Sequence, residues 1–157
     1  MNVAYVNPFV QGAQRVFATV CQETPSLGKV FVKPVPYTAS PVSVSVTIRG
    51  AFEGEVVYNF DEAAGCHIAS RMMQGMPVPS LDAMAKSALS ELANMISGNV
   101  CTLFSGKNMI IDINPPQLRH DATHADFPMA AKVDKVVCVP LTFSNNAVFQ
   151  VDVMIPG

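Results

Sequence analysis

Ser87, Glu91 and Asn94 fall within one segment, Ser80 to Ser97, at spacings that put them on one side of a helix. A carboxylate and a carboxamide one turn apart make a compact chemical tool. The carboxylate can grip a cation, and the amide can both donate to and accept from a water molecule. At about 100° per residue, with Ser87 set to zero, Glu91 lies near +40° and Asn94 near −20°. Leu81, Met84, Ala85, Ala88, Leu89, Leu92, Met95 and Ile96 are assigned to the opposite arc, about 140° wide, as befits a core-facing stripe. Ser80 is the expected N-cap, Asp82 sits favourably in the first turn, and Gly98-Asn99 is the expected stop. The outward residues Ser80, Ala83, Ser87 and Ser90 are small and uncharged, which leaves room for another protein to approach. Taken alone, a Glu and an Asn on a solvated face are ordinary surface.

The elements that must position this helix come from a chain of 157 residues, half of them apolar and 14% charged. That composition is one of a folded chain, with the length of one domain. Ten Lys and Arg face twelve Asp and Glu, and no basic run marks a nucleic-acid surface. The N-terminal stretch Met1 to Pro8 has neither a positive region nor an apolar core of the kind that directs export. No apolar run reaches the roughly 20 residues of a membrane helix. Cys21, Cys66, Cys101 and Cys138 are far apart and form no CxxC, so the expectation is reduced thiols in a cytoplasmic protein.

Residues 5–21 read as an amphipathic helix on Val6, Phe9, Val10, Ala13, Val16, Phe17 and Val20, with Asn7 as N-cap and Pro8 in the first turn. Residues 22–28 read as a loop. Lys29 to Tyr37, with Pro34 and Pro36, is expected to be an irregular or edge strand. Val42 to Arg49 alternates, which predicts one buried and one polar face, and Glu55 to Phe60 returns as its hairpin partner. Asp61 to Gln74 is a second helix. After the Ser80 helix come expected strands at Val100–Phe104 and Asn108–Ile113, a polar loop from Asn114 to Met129, and a closing hairpin of Val133–Phe143 with Ala147–Ile155.

The two halves echo each other. With Asn7 set over Ser87, Gln11 falls on Glu91, Gln14 on Asn94, and Val20-Cys21 on Val100-Cys101. The fold expected is α+β: two pseudo-repeated helix-plus-three-strand units, about 5–60 and 80–156, within a single domain over 1–157. They form a mostly antiparallel sheet with helices packed on one face. Only the second copy carries a carboxylate.

Other chemistry reads weakly. His120 and His124 could hold a metal if helical, but their turn-rich surroundings read as a solvated loop. Cys66 and His67 are neighbours on a helix, point about 100° apart and cannot act as a pair. Met72, Met73, Met76, Met84 and Met95 read as core filling, with an adaptable binding surface as their other use.

Ser87-x3-Glu91-x2-Asn94 on a helix, followed by strand residues and Pro115-Pro116, resembles the signature of the CheX/CheC/FliY phosphatases of bacterial chemotaxis. The opening Asn7-Pro8-Phe9 and the duplicated layout resemble that family as well, over essentially the whole chain. One intact copy of the motif is similar to the family's single-site branch. The resemblance implies a phosphatase acting on the aspartyl phosphate of a CheY-like response regulator, which brings its own Mg²⁺, while the chain needs no cofactor or metal of its own. It implies that Glu91 pairs with a lysine of the regulator, that Asn94 holds the attacking water in line, and that Ser87 supports them. It also implies a homodimer through edge-strand pairing, with no nucleic acid or membrane partner. The alternative is a catalytically weak regulator-binding or scaffold protein of the same fold, in which Glu91 and Asn94 only dock a partner.

Overall fold

A computed structural model of the chain describes residues 3–157. Met1 and Asn2, part of the stretch read for an export signal, lie outside the described residues. The first helix, α1, runs Val3–Val20 and buries Val6, Phe9, Val10, Ala13, Val16 and Phe17. It starts earlier than the sequence suggests, so Asn7 is an exposed helical residue rather than a cap, and Pro8 lies inside the helix. The single N–H that Pro8 cannot supply is outweighed by the packing of the apolar face around it.

Short strands β1 (Ser26–Leu27) and β2 (Phe31–Pro34) lead into the long hairpin of β3 (Val42–Gly50) and β4 (Gly54–Phe60). Helix α2 (Glu62–Met72) follows, capped by Asp61, whose Oδ1 accepts from the Ala64 N–H at 2.6 Å. Helix α3 runs Ala83–Ser105, with Asp82 rather than Ser80 as its cap; Asp82 Oδ1 accepts from the Ala85 N–H at 2.8 Å. The helix does not stop at Gly98-Asn99, and the strand expected at Val100–Phe104 is its last turns. A glycine inside a helix costs about 1 kcal/mol. Val100 and Phe104 are fully buried, each gaining roughly 1.5–3 kcal/mol, and their burial prevails.

The chain continues through β5 (Ile111–Ile113), β6 (Gln117–His120), two 3-10 turns (His124–Asp126 and Pro128–Lys132), and the hairpin of β7 (Lys135–Thr142) and β8 (Val148–Met154). Among the described residues, the strands form one antiparallel eight-stranded sheet in the order β1-β7-β8-β4-β3-β5. β2 continues β1 along β7, and β6 continues β5 along β3. Each half's interrupted leading strand therefore lies along the other half's hairpin, and β4 and β8 meet at the centre, with Val57 opposite Asp152. β2 is the edge strand that its prolines indicate.

The helices cover one face of the sheet, where Val44, Val46, Tyr58, Phe60, Phe149 and Val151 meet α1 and α3. The other face is not left to solvent. Ser43, Ser45, Glu55, Asn59 and Asp152 are buried beneath Tyr37, Ala122, Phe127, Met129 and Ala130. Alternation identified β3 correctly but not the fate of its polar side. The expected polar loop 114–129 is instead a strap of strand and 3-10 turns whose Phe127 and Met129 close over that side. Part of this polar layer bonds together: the Tyr37 hydroxyl and the Asn59 amide both donate to Asp152 Oδ2, and Gln150 donates to Oδ1, whereas Ser43 Oγ and Glu55 Oε2 are buried with no hydrogen-bond partner among the described residues.

Candidate functional site

The rotation of α3 about its axis decides which side chains face outward, and it is fixed from three sides. Against α1, helix packing is so close that a Cβ on Gly12 would stand 2.9 Å from Val100 Cγ2. Against the sheet, the Ser97 hydroxyl and the Tyr58 hydroxyl share a buried hydrogen bond of 2.8 Å. Against α2, a Cβ on Gly65 would stand 3.4 Å from Leu89 Cδ1 on α3, and 2.7 Å from Cδ2 of Leu81 just ahead of the helix. Ala85, Leu89, Leu92, Ala93, Ile96, Val100 and Phe104 fill the buried side.

Ser87, Glu91 and Asn94 are all exposed on the opposite side. No hydrogen bond or ion pair among the described residues engages their side chains, and Ser87 makes no bond to Glu91. They line a cleft of about 510 Å³ together with Ser90, Ile113, Asn114, Pro115 and Pro116. The far wall is the start of the strap. It is anchored where the Asn114 N–H donates to the Thr47 carbonyl at 3.1 Å and where Arg119 Nε donates to Ser45 Oγ at 3.1 Å. Two consecutive prolines stiffen it further. Pro115 and Pro116 thus stand across the cleft from Glu91 and Asn94, although twenty residues separate Asn94 from Pro115 in the sequence.

Among the described residues, Glu91 is the sole ionisable side chain lining this cleft. Among the described residues, the site offers one acidic group, two amides, two serine hydroxyls and stiff apolar walls, with no base beside a nucleophile. It is suited to gripping a cation and orienting a water, not to covalent catalysis.

The other candidates fall to structural roles. His120 lies on β6, and His124 Nδ1 accepts from the Tyr37 N–H at 3.1 Å. Among the described residues, no group of three His, Cys, Asp or Glu is placed to hold a metal. His67 Nε2 bonds Glu23 Oε1 at 2.9 Å and its ring packs on Phe143, tying α2 to the end of α1 and the β7–β8 turn. Burial pushes the Cys21 thiol up to about 11 and raises Cys66, Cys101 and Cys138, so none is an activated thiolate.

The structure also corrects the stripe of α3. Met84 is 64% exposed rather than core-facing, and Met76 is exposed too. Met84 precedes Glu91 by seven residues, two turns, which places it about 20° from Glu91 on the outward side. That spacing was available in the sequence. The contribution of Ile113 and Asn114 to the far wall had no local signal.

A family model described as chemotaxis phosphatase CheX matches residues 42–142. The CheY-P phosphatase CheX of Thermotoga maritima is 29% identical over 122 residues, covering 74% of this chain and 75% of that relative. A CheC-like superfamily protein from Shewanella sp. PV-4 superposes with a TM-score of 0.83 at 23% identity, over 100% of both chains. A chain of the CheX–CheY–BeF3–Mg²⁺ complex from Borrelia burgdorferi gives 0.77 at 23% identity, over 98% of each. At these identities the structural likeness speaks to the fold.

Proposed function

The chain belongs to the chemotaxis phosphatase family CheX, and on that premise we propose that it hydrolyses the aspartyl phosphate of a CheY-like response regulator. The observation that carries the reading is the pair Glu91 and Asn94, unpartnered and exposed on a rigidly held helix, across a cleft from Pro115 and Pro116. α3 enters the regulator's active site with this face. Glu91 pairs with a lysine of the regulator and fixes the docking angle. The Asn94 amide oxygen accepts from a water and aligns it with the phosphorus, opposite the aspartyl oxygen that leaves. A neutral amide does this without repelling phosphoryl oxygens, and an acyl phosphate needs no strong base for its hydrolysis. Ser87 supports by being small. Mg²⁺ belongs to the regulator, as the Borrelia complex with BeF3 and Mg²⁺ suggests, and offsets charge on the phosphoryl oxygens. The first half is a silent copy: Gln11 is exposed, and Gln14 Nε2 donates to the Pro25 carbonyl at 3.2 Å.

The test is the decay of a phosphorylated CheY-like regulator with and without the chain. Wild type should accelerate it. Asn94→Ala should lose about 100-fold or more, the scale of a lost positioning contact. Glu91→Ala should lose binding as well, because it removes a cross-interface charge pair. Wild-type activity in Asn94→Ala would sink the mechanism, and binding without acceleration would favour a docking or scaffold role.

The protein acts in the cytoplasm as a homodimer. No helix among the described residues is long and apolar enough to cross a membrane. The β1–β2 edge exposes Leu27, Val30, Phe31 and Val32, an apolar row beside free strand edges that a second copy can pair with. Light scattering on Val32→Lys should report a monomer where wild type reports a dimer.

A further inference from the structure

The two most exposed large apolar side chains among the described residues are Met84 (64%) and Ile110 (66%), and they bracket the face that carries Glu91 and Asn94. We propose that they are the apolar anchors that hold the folded receiver domain of the phosphorylated regulator, one on each side of the reacting centre. This rests on the phosphatase reading above and adds the residues that set affinity.

Placement supports the assignment at both ends. Met84 continues the stripe of Glu91 two turns toward the N-terminus of α3. At the other end, Ile110 lines a second depression of about 320 Å³ with Cys101, Thr102, Ser105 and Ile111. α3 and β5 bound both depressions, with Ile113 in the main cleft and Ile111 in the second. Between them the surface is low: Ser87, Ser90 and Asn94 are small, and a Cβ on Gly98 would meet nothing within 4 Å.

The span fits a globular partner. Met84 and Thr102 are separated by about 27 Å along the helix at 1.5 Å per residue. A standard interface covers about 800 Å² per partner, a patch roughly 32 Å across. Asn94 lies near the middle of that span, about 15 Å from Met84 along the axis and about 12 Å from Thr102. The partner this face complements offers one cation to Glu91 and apolar surface on both flanks. A second copy of the chain is served by the opposite edge of the sheet, where β1 and β2 expose their own apolar row.

The test uses the full chain and a CheY-like regulator of the same organism, phosphorylated with acetyl phosphate in Mg²⁺. Met84→Ser and Ile110→Ser should each raise KM about tenfold, and the double variant more, with kcat within twofold of wild type and an unchanged mass and Tm. A double variant with KM within twofold of wild type overturns the proposal. So does a fall in kcat at constant KM. A changed mass in Ile110→Ser would put that residue between copies of the chain and overturn its assignment. The same variants are titrated against regulator activated with fluoroberyllate, so the anchors are read from Kd even without turnover. Failure of wild type to accelerate decay, or retention of activity in Asn94→Ala, strikes the phosphatase reading; an unchanged KM and Kd in an otherwise active chain strikes only the anchors.

Discussion

Replacing Ser97 by alanine should strand the Tyr58 hydroxyl in the core. Both groups are buried, and among the described residues their shared hydrogen bond of 2.8 Å is the one side-chain hydrogen bond between α3 and the centre of the sheet. An unsatisfied buried hydroxyl costs about 1–3 kcal/mol. Alanine returns about 0.5 kcal/mol as the better helix former, so the net loss should be about 1–2 kcal/mol. Tyr58→Phe should cost less, roughly 0.5–1 kcal/mol, because a helical serine left alone can turn to the carbonyl four residues back, that of Ala93. The double variant removes both polar groups and leaves nothing stranded. Its loss should fall short of the summed single losses by about 1 kcal/mol. Urea unfolding of the four proteins closes the cycle. Additivity within about 0.4 kcal/mol would refute the claim that this bond fixes the rotation of α3.

Three further outcomes follow from the same packing. Burial raises the Glu55 carboxyl above the ordinary range, against the Met129 N–H it accepts and the nearby Arg119 charge. A carboxyl whose folded-state pKa is raised favours folding only while protonated, so its cost appears as pH rises above the unfolded value of about 4.3. Glu55→Gln should therefore gain stability over wild type increasingly from pH 4 to pH 8 in urea melts, and a gap independent of pH would contradict this. Gly98→Ala, on a helical residue with open space around it, should stabilise the fold by about 0.5–1 kcal/mol and raise Tm in calorimetry. Gly12→Ala should destabilise by about 1–3 kcal/mol, because its methyl meets Val100 Cγ2 at 2.9 Å where two helices are already in contact; a neutral melt would show that the helices separate freely.

The helical face and the β-hairpins were legible because period 3.6 and period 2 are carried by local residue order, as in Leu89–Leu92–Ile96 and Val42–Ser43–Val44. What was not legible depended on distant partners. Gly98 reads as a stop until Val100 and Phe104 find α1. Ser43 and Ser45 read as solvent-facing until the strap folds over them. Asn7 reads as a cap only if the helix begins there, and Met84 reads as core until Leu81 and Ala85 are seen to fill that side. Pro115 and Pro116 were attached to the site through the family signature; their position across the cleft follows from β5 and β6 pairing with β3.

The unpartnered state of Glu91 and Asn94 has an energetic consequence for docking. Side chains that bond to nothing in the free chain lose rotamer freedom when a partner orders them, at about 0.5–1.5 kcal/mol each. The backbone beneath them adds little, since α1, α2 and the sheet already hold α3. An exposed charge pair at Glu91 contributes little until water is excluded around it. Two polar contacts alone therefore make a poor anchor, while a tightly bonded Asn94 would make a poor water-positioning group. The two demands separate if affinity comes from elsewhere on the same surface. Fully burying Met84 and Ile110 would yield roughly 1.5–3 kcal/mol each, enough to offset the ordering of Glu91 and Asn94 and to exclude water from the space between them. On this arrangement the centre of the face can stay small, polar and free to react, because its flanks do the holding.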